Sequence, residues 1–161
     1  MQTVFRNARA DEAEAVYALY RSVIGTRFCA WDETYPGLFE IRRDLEAGAL
    51  FVLEEERRII GAISLAPENE LDELSCWSAG EKAGEFARVV ICPERQGKQL
   101  ARLLVSHILE EMKRRGYRWA HISVASENIP AQKTYRHFGF TAVGQEEMWG
   151  HRFYLYELAL G

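Results

Sequence analysis

The sequence predicts a single domain with a mixed α/β fold, in which helices pack against one central sheet. The chain has 161 residues, which is the length of one domain. Its residues are 48% hydrophobic and 27% charged, as in ordinary soluble globular domains. Apolar runs of strand length alternate along the chain with amphipathic stretches of helix length. Together these observations favour about seven strands and about four helices around one hydrophobic core.

Each element in the first half of the chain has a local signal. Asp11, followed three residues later by Glu14, is typical of a capped helix N-terminus. Pro67 ends the second of two apolar runs that a charged turn joins, which is typical of a hairpin. The predicted elements are a strand over 4–8, a helix from 11 to about 23, a helix over 38–47 after a loop rich in aromatics, and strands over 49–54 and 58–65.

The second half of the chain predicts a central strand and two well-terminated helices. The run over 85–92 is nearly continuous in apolar residues, so we expect a strand covered on both faces. The helix over 98–115 has an apolar stripe and ends in basic residues before Gly116. The remaining elements are a strand over 119–125, a helix over 130–138 that Gly139 ends, and strands over 140–145 and 153–160.

Charge and composition exclude several classes of protein. The net charge is −4, and mixed acidic and basic residues do not give the basic footprint of a nucleic-acid-binding protein. No apolar run approaches the roughly 18 residues of a membrane span, and Met1 to Arg6 lack a secretory apolar region. We therefore expect a cytoplasmic protein that binds neither nucleic acid nor membrane. Cys29, Cys76 and Cys92 are expected to be free buried thiols.

The segment from Ile91 to Ala101 predicts an anion-binding cradle. An apolar strand ends there in a short loop with Gly97, and a long amphipathic helix follows. Loop N–H groups and the unsatisfied N–H groups of a helix N-terminus point to one place, where the helix dipole favours negative charge. A pyrophosphate fits such a cradle. The segment lacks the Gly-Lys-Ser/Thr ending with which a kinase-like loop grips a triphosphate and its metal.

Two motifs in the second half of the chain resemble those of the GNAT superfamily of acyl-CoA-dependent N-acyltransferases. The first is Gln96-Gly97-Lys98-Gln99-Leu100-Ala101, where the family has Arg or Gln, two residues, Gly, one residue, then Gly or Ala. Gln99 replaces the usual glycine, and a side chain is tolerable there if the residue is already helical. The second motif, Asn128 to Phe140, matches Asn-x-x-Ala-x-x-x-Tyr-x-x-x-Gly-Phe throughout. The resemblance implies a mostly antiparallel sheet in the order βααβββαβαββ.

The resemblance also implies how acetyl-CoA would bind. The backbone of Val89, Val90 and Ile91 would pair with the pantetheine arm like an additional strand. The pyrophosphate would lie on the loop formed by Gln96, Gly97, Lys98, Gln99, Leu100 and Ala101. In the second motif, Asn128 would hydrogen-bond the pantetheine, and Ala131 and Tyr135 belong to the same binding segment. The candidate cations for the 3′-phosphate are Lys98, Arg102, Lys133 and Arg136. No other cofactor is implied, and the four histidines lack metal-ligand spacing.

Two residues are candidates for catalysis of direct acetyl transfer to a primary amine. Glu85 lies eleven residues before Gln96, where some family members carry a general-base glutamate. Other members use ordered water, and a solvated glutamate at a strand end is the alternative here. For Tyr135, the alternative is a core aromatic. Because its ordinary pKa of about 10 exceeds the roughly 8.5 of a thiol, we expect Tyr135 to stabilise the leaving thiolate by a hydrogen bond before any proton transfer.

The acceptor amine is expected to meet aromatic and acidic residues outside the two motifs. These residues are Trp31, Asp32, Glu33 and Tyr35 in the first loop, Glu70, Asp72, Glu73 and Trp77 in the loop before Glu85, and Trp149 with His151 between the last strands. If they converge, they would attract a cationic amine; otherwise they are solvated charges and anchoring aromatics. Ser123 stands where ribosomal-protein N-terminal acetyltransferases carry a glutamate, which disfavours that activity. Small amines, amino acids and antibiotics are left as acceptors.

Two further expectations concern function and assembly. A non-catalytic acyl-CoA-binding sensor or assembly module is the alternative to an enzyme, and Gln99 favours it while Tyr135 and Glu85 disfavour it. The open edges of a mixed sheet and the apolar run from Phe153 to Tyr156 suggest a homodimer.

Overall fold

The computed structural model describes residues 2–66, 76–78, 82–97 and 99–161. Its strands are β1 (Thr3–Asn7), β2 (Leu50–Glu55), β3 (Arg58–Ala66), β4 (Ala83–Ile91), β5 (Trp119–Ala125), β6 (Thr141–Met148) and β7 (His151–Ala159). Its helices are α1 (Ala13–Ser22), α2 (Leu38–Glu46), α3 (Leu100–Arg114) and α4 (Ile129–His137). The sheet has the order β1-β2-β3-β4-β5-β7-β6, and among these described strands β4 and β5 are the one pair that runs parallel. The predicted mixed α/β fold and the order βααβββαβαββ are confirmed.

Strand β4, the strand of the predicted apolar run, has no exposed residue, and the adjacent β3 contacts helices on both faces. Gly61 of β3 faces α3, because a Cβ there would meet the side chain of Leu104. Ser64, three residues on, faces the opposite side, where its hydroxyl donates to Asp44 of α2 at 2.8 Å. No helix in the described parts of the chain is long and apolar enough to cross a membrane.

The start of the first helix differs from the prediction. A 3₁₀ turn, Ala10–Glu12, precedes α1, and the N–H of Arg9 donates to Glu12 Oε1 at 2.7 Å. Asp11 and Glu14 therefore do not form the predicted cap. The physical reason lies in β1, where the guanidinium of Arg6 donates to both carboxylate oxygens of Glu12 at 2.8 Å and so holds that side chain at the helix entrance.

The last strand is not an edge. β7 lies between β5 and β6, so Phe153 to Tyr156 pair within the chain, and the strands at the edges are β1 and β6. The argument for a second copy pairing through this strand therefore does not hold. The homodimer stays a prediction.

Candidate active site

The parallel strands β4 and β5 separate after a short paired segment. Within the described residues they pair over three positions, of which the last is Glu85 with His121. Beyond it, β4 stays paired with β3 as far as Ile91, and β5 stays paired with β7 as far as Ala125. The sheet therefore opens along residues 86–91, where the backbone groups of β4 that face β5 are available to another extended molecule.

A bulge shapes β4 along this opening. Ala62 of β3 pairs with Val90 while Ser64 pairs with Ala87, so β4 contains one residue more than β3 over this stretch. Arg88 takes up the irregularity with a φ of +53°, a conformation that favours glycine. The bulge changes the direction in which the following residues of β4 present their backbone groups.

A buried polar cluster anchors the bulge to α2. The guanidinium of Arg88 donates to Asp44 Oδ2 at 2.7 Å and to the hydroxyl of Tyr35 at 3.2 Å. The side chains of Arg88 and Asp44 are 5% and 0% exposed. Removing either partner would leave an unpaired charge in the interior, which is strongly unfavourable. The ion pair therefore fixes the strained residue relative to α2.

The opening continues as a cleft of about 600 Å³ that contains most of the residues predicted to bind the cofactor. Those that line it are Val89, Val90, Ile91, Gln96, Gly97, Gln99, Leu100, Ala101, Arg102, Asn128, Ala131, Lys133 and Tyr135. Lys98 lies outside the described residues. Arg136 does not line the cleft, and its guanidinium contacts the hydroxyl of Tyr156 at 3.4 Å.

The charged side chains that line the cleft are all basic. They are Arg27, Arg88, Arg95, Arg102 and Lys133, and no aspartate or glutamate of the described chain lines it. Arg88 and Arg95 are paired with Asp44 and Glu55, so the excess positive charge of the cleft comes from Arg27, Arg102 and Lys133, although the whole chain carries a net charge of −4. Such a surface attracts an anionic ligand and repels a cationic one.

The loop at the end of β4 has the backbone conformations of an anion cradle. Gly97 has a φ of +79°, and Gln99, which precedes α3, has a φ of +61°. The condition under which a side chain was tolerable at Gln99, a helical backbone, is therefore not met, because Gln99 occupies the left-handed region, which favours glycine. A Cβ at Gly97 would meet no atom within 4 Å, so conformation rather than crowding favours glycine there.

The N-terminus of α3 faces this loop with unused donors. The first backbone hydrogen bond of the helix runs from the N–H of Leu103 to the carbonyl of Gln99 at 3.2 Å. The N–H groups of residues 100–102 thus have no acceptor within the helix, and no described side chain caps it. With the helix dipole and the basic lining, these donors fit a diphosphate better than any neutral group.

Helix α4 positions Tyr135 in the same cleft. Asn128 caps the helix, since its Oδ1 accepts the N–H of Ala131 at 3.2 Å. The ring of Tyr135 packs against Phe86 and Phe140, and burial raises the pKa of its hydroxyl. That hydroxyl forms no hydrogen bond within the part of the chain that the structure describes. Because its pKa is raised, the hydroxyl stays protonated at neutral pH, and it can donate to a ligand in the cleft.

Glu85 is buried rather than solvated, and it lies where the strands separate. Its residue is 8% exposed, and its neighbour across the sheet is His121. Phe86 packs against Tyr135, so Glu85, the preceding residue of the strand, projects from the opposite face. Glu85 does not line the cleft itself. The solvated strand-end alternative does not hold in this structure.

The residues predicted to meet the acceptor converge in part. Trp31 lines the cleft, and the Tyr35 hydroxyl binds Arg88, whereas Trp149 is 74% exposed at the β6–β7 turn. Glu33 is exposed, and Trp77 stacks on His121 with 3.8 Å between ring centroids. Glu70, Asp72 and Glu73 lie outside the described residues.

The first loop and the β6–β7 turn approach each other. Hydrogen bonds from Thr34 lower the pKa of Asp32, and the nearby His151 contributes in the same direction. His151 in turn lies 3.0 Å from Glu127. Phe153, two residues beyond His151 on β7, lines the cleft.

Sequence reasoning missed the cluster around the β4 bulge. Arg88 and Asp44 belong to no motif, and Arg27 with Phe28 falls in a loop without periodicity. One signal was available, because Arg88 is a charge inside a strand predicted to be covered on both faces. A charge in such a place needs a buried partner, but the sequence does not say which acidic residue supplies it.

Comparison with known families identifies the chain's relatives. The model of the acetyltransferase (GNAT) family matches residues 14–140. The mycothiol acetyltransferase of Thermobifida fusca is 37% identical over 71 residues, which are 44% of this chain and 22% of that protein. The mycothiol acetyltransferase of Cellulomonas flavigena is 26% identical over 107 residues, or 65% of this chain and 30% of that protein. The matched region thus spans less than a third of these curated relatives.

Solved structures share the fold over the whole chain. An N-acetyltransferase from Staphylococcus aureus superposes with a TM-score of 0.79 at 19% identity and covers 100% of both chains. The yncA protein of Salmonella typhimurium, solved with its cofactor acetyl-CoA, gives a TM-score of 0.78 at 22% identity and covers 100% of this chain and 95% of its own. At these identities the likeness concerns the fold alone.

Proposed function

The chain belongs to the GNAT acetyltransferase family, and from this premise we propose that it transfers an acetyl group from acetyl-CoA to the primary amine of a small or amino-acid-like molecule. The opening between β4 and β5 carries the proposal. It offers unpaired strand backbone, charged lining residues that are all basic, and a glycine loop at a helix N-terminus, which together suit an extended molecule with phosphates.

The residues around the opening fit acetyl-CoA. The backbone of residues 89–91 would bind the pantetheine arm, and the loop at Gly97 with the start of α3 would bind the pyrophosphate. Of the basic residues predicted to bind the 3′-phosphate, Arg102 and Lys133 line the cleft in the described part of the chain. Acetyl-CoA supplies the acetyl group in activated form, as a thioester.

Glu85 and Tyr135 approach the opening from opposite faces of the sheet. This arrangement supports separate roles, because the amine must lose a proton and the sulfur must accept an electron pair. Removing a proton from an amine of ordinary pKa, about 10.4, costs roughly 4 to 5 kcal/mol at pH 7, and a buried carboxylate nearby offsets part of this. The Tyr135 hydroxyl would stabilise the charge that develops on sulfur.

The remaining catalysis would come from holding the two substrates together. Properly oriented reactants can gain up to roughly 7 to 11 kcal/mol from proximity, so no covalent intermediate with the protein is needed. Burial raises the pKa of the thiols of Cys29 and Cys92, which keeps these residues protonated and poorly nucleophilic. Direct transfer in a complex of both substrates follows.

A CoA-release assay with a panel of amines tests the proposal. The purified chain would be mixed with acetyl-CoA and with glycine, 1,4-diaminobutane or 2-phenylethylamine, and the free thiol of CoA would be followed. We expect release above the rate without amine for at least one class, together with the N-acetylated product by mass spectrometry.

A non-catalytic sensor would give a different result. It would bind acetyl-CoA but release no CoA with any amine, and Tyr135→Phe would then change nothing. Release at the same rate with and without each amine would also contradict the proposal, because it would mean transfer to water.

A further inference from the structure

Three acidic and basic side chains form a row beside the opening. Glu85 on β4 is the register partner of His121 on β5, and His121 is the register partner of Glu157 on β7. Register partners project from the same face of a sheet, so the three side chains are neighbours across three strands. The residues are 8%, 3% and 5% exposed, respectively. Apolar side chains would fill these positions more favourably if packing were their only role.

The hydrogen bonds of Glu157 define the state of His121. Glu157 Oε2 accepts the backbone N–H of Ser78 at 2.8 Å and lies 3.0 Å from Nε2 of His121. A carboxylate that accepts from two donors is stabilised in its ionised form. The Nε2–H of the imidazole therefore donates to Glu157, and this assignment makes Nδ1 the basic nitrogen. A base oriented by a carboxylate is the arrangement that activates histidine in many enzymes.

An aromatic lid covers the imidazole. The ring of Trp77 stacks on His121 at 3.8 Å between centroids and 11° between planes. Exclusion of water strengthens the interaction of the carboxylate with a protonated imidazole, and the indole face favours the same cation. Trp77 thus shields the pair of His121 and Glu157 from water.

The row lies at the inner end of the cleft. Glu85 and His121 are the last paired positions before the strands separate. Ser123, two residues beyond His121, lines the cleft. Side chains two residues apart on a strand project from the same face at roughly 6.6 Å, which one water molecule or the acceptor itself can span.

We propose that His121, held by Glu157, takes up the proton that the acceptor amine loses during acetyl transfer. This inference rests on the proposed function. The ammonium N–H bond breaks and its proton passes to Nδ1, directly or by way of Glu85. The electron pair left on nitrogen forms the bond to the acetyl carbon, the carbon–sulfur bond breaks, and its pair leaves with sulfur. The second proton, which nitrogen loses as it becomes an amide, passes to that sulfur and gives the thiol of CoA. The proton on Nδ1 then passes to water, which restores the neutral imidazole.

Basicity favours histidine over glutamate for this step. Moving a proton from an amine of pKa about 10.4 to an ordinary glutamate is unfavourable by roughly 10⁶ in the equilibrium constant, and to an ordinary histidine by roughly 10⁴. Cys76 and Glu146 are further titratable groups close to Glu157, since the charges of both glutamates act on the Cys76 thiol.

The test compares the pH dependence of kcat/KM in three variants, using acetyl-CoA and the amine of the panel that gives the fastest CoA release. We expect His121→Gln to lower kcat/KM by about 10² to 10⁴. Glu157→Gln should lower it less and move the acidic limb of the profile to lower pH, since the imidazole pKa falls without the carboxylate. His137→Gln, on the exposed side of α4, is the matched control and should leave the profile unchanged.

Stabilisation of each variant by acetyl-CoA establishes that it is folded. Wild-type kcat/KM in His121→Gln would overturn the inference while the proposed function stood. If His121→Gln does not fold, Glu157→Gln decides, and an acidic limb at the wild-type position would overturn the inference. A wild type that binds acetyl-CoA but releases no CoA with any amine would overturn the proposed function and this inference with it.

Discussion

The two ends of the cleft differ in the groups that form them, which are backbone groups at one end and side chains at the other. At the cofactor end, the loop at Gly97 and the start of α3 present backbone N–H groups, and side chains matter mainly through the conformations they permit. At the inner end, buried side chains from separate strands and helices meet, as in the pairs of His121 with Glu157 and Arg88 with Asp44. A backbone site leaves a local pattern in the sequence, whereas a side-chain cluster depends on register.

Two residues with positive φ, one at each end, differ in how their backbone conformation is held. Arg88 at +53° is buried and anchored by an ion pair, while Gln99 at +61° is exposed on the cleft. Left-handed backbone costs a side chain roughly 1 to 2 kcal/mol at either place. The inner end holds its strained residue through tertiary contacts, and the cofactor end relies on the preference of the loop itself.

Tyr135→Phe gives the largest expected effect, and it distinguishes a role in the chemical step from a role in binding acetyl-CoA. Loss of the hydroxyl should lower kcat by about 10² to 10⁴ and leave acetyl-CoA affinity within about twofold, because the ring keeps its packing. Steady-state kinetics and calorimetry would measure the two quantities. A parallel loss of affinity would mean that Tyr135 belongs to the binding end rather than to the chemistry.

Asp44→Asn tests how firmly the bulge is anchored. The variant leaves Arg88 charged in the interior, so we expect a loss of about 3 kcal/mol in the free energy of unfolding. Glu94→Gln is the matched control, because Glu94 pairs with Arg58 at 2.6 Å on the surface and should contribute almost nothing. Urea unfolding would measure both. Equal effects would show that burial does not distinguish the two pairs.

Glu12→Gln provides a reference remote from both ends. Hydrogen bonds from Arg6 lower the pKa of Glu12 to about 2, from 4.5. A depressed pKa contributes stability above the unfolded value of 4.5, and that stability is lost as the pH falls towards 2. We expect the variant to be less stable by about 1 to 2 kcal/mol at neutral pH and equal to the wild type in strong acid. A constant difference across the pH range would contradict this assignment.

Gln99→Gly is the smallest expected effect. Relief of the left-handed strain should exceed the added entropy of the unfolded chain and stabilise the protein by up to about 1 kcal/mol. Gln99→Ala removes the side chain without relieving the strain and should give no gain. If both variants behave alike, the side chain and not the backbone conformation sets the energy of this loop.

The sequence predicts features with local signals well, and it predicts contacts between distant residues poorly. The strands, helices and cofactor loop were predicted because periodicity, Gly97, Gly116 and Gly139 are local signals. Two features were not predicted, namely Glu12 at the start of the first helix and the left-handed backbone of Gln99. Each depends on contacts or backbone geometry that the local sequence does not specify. The pairs joining Asp44 with Arg88 and His121 with Glu157 connect residues distant in the chain. The packing of α2 against β4 brings the first pair together, and the register of β5 with β7 brings the second together.

Thermal unfolding with acetyl-CoA, CoA and ATP in parallel tests the central claim most directly, with Gly97→Asp as the matched variant. A ligand at about 100 times its dissociation constant adds about 2.7 kcal/mol, which is roughly 5 to 11 °C for a chain of this size. We expect acetyl-CoA and CoA, but not ATP, to stabilise the wild type, and neither to stabilise Gly97→Asp, whose carboxylate repels the pyrophosphate. No shift of the wild type with acetyl-CoA and CoA, or an equal shift in Gly97→Asp, would contradict the assignment of the cleft to acyl-CoA.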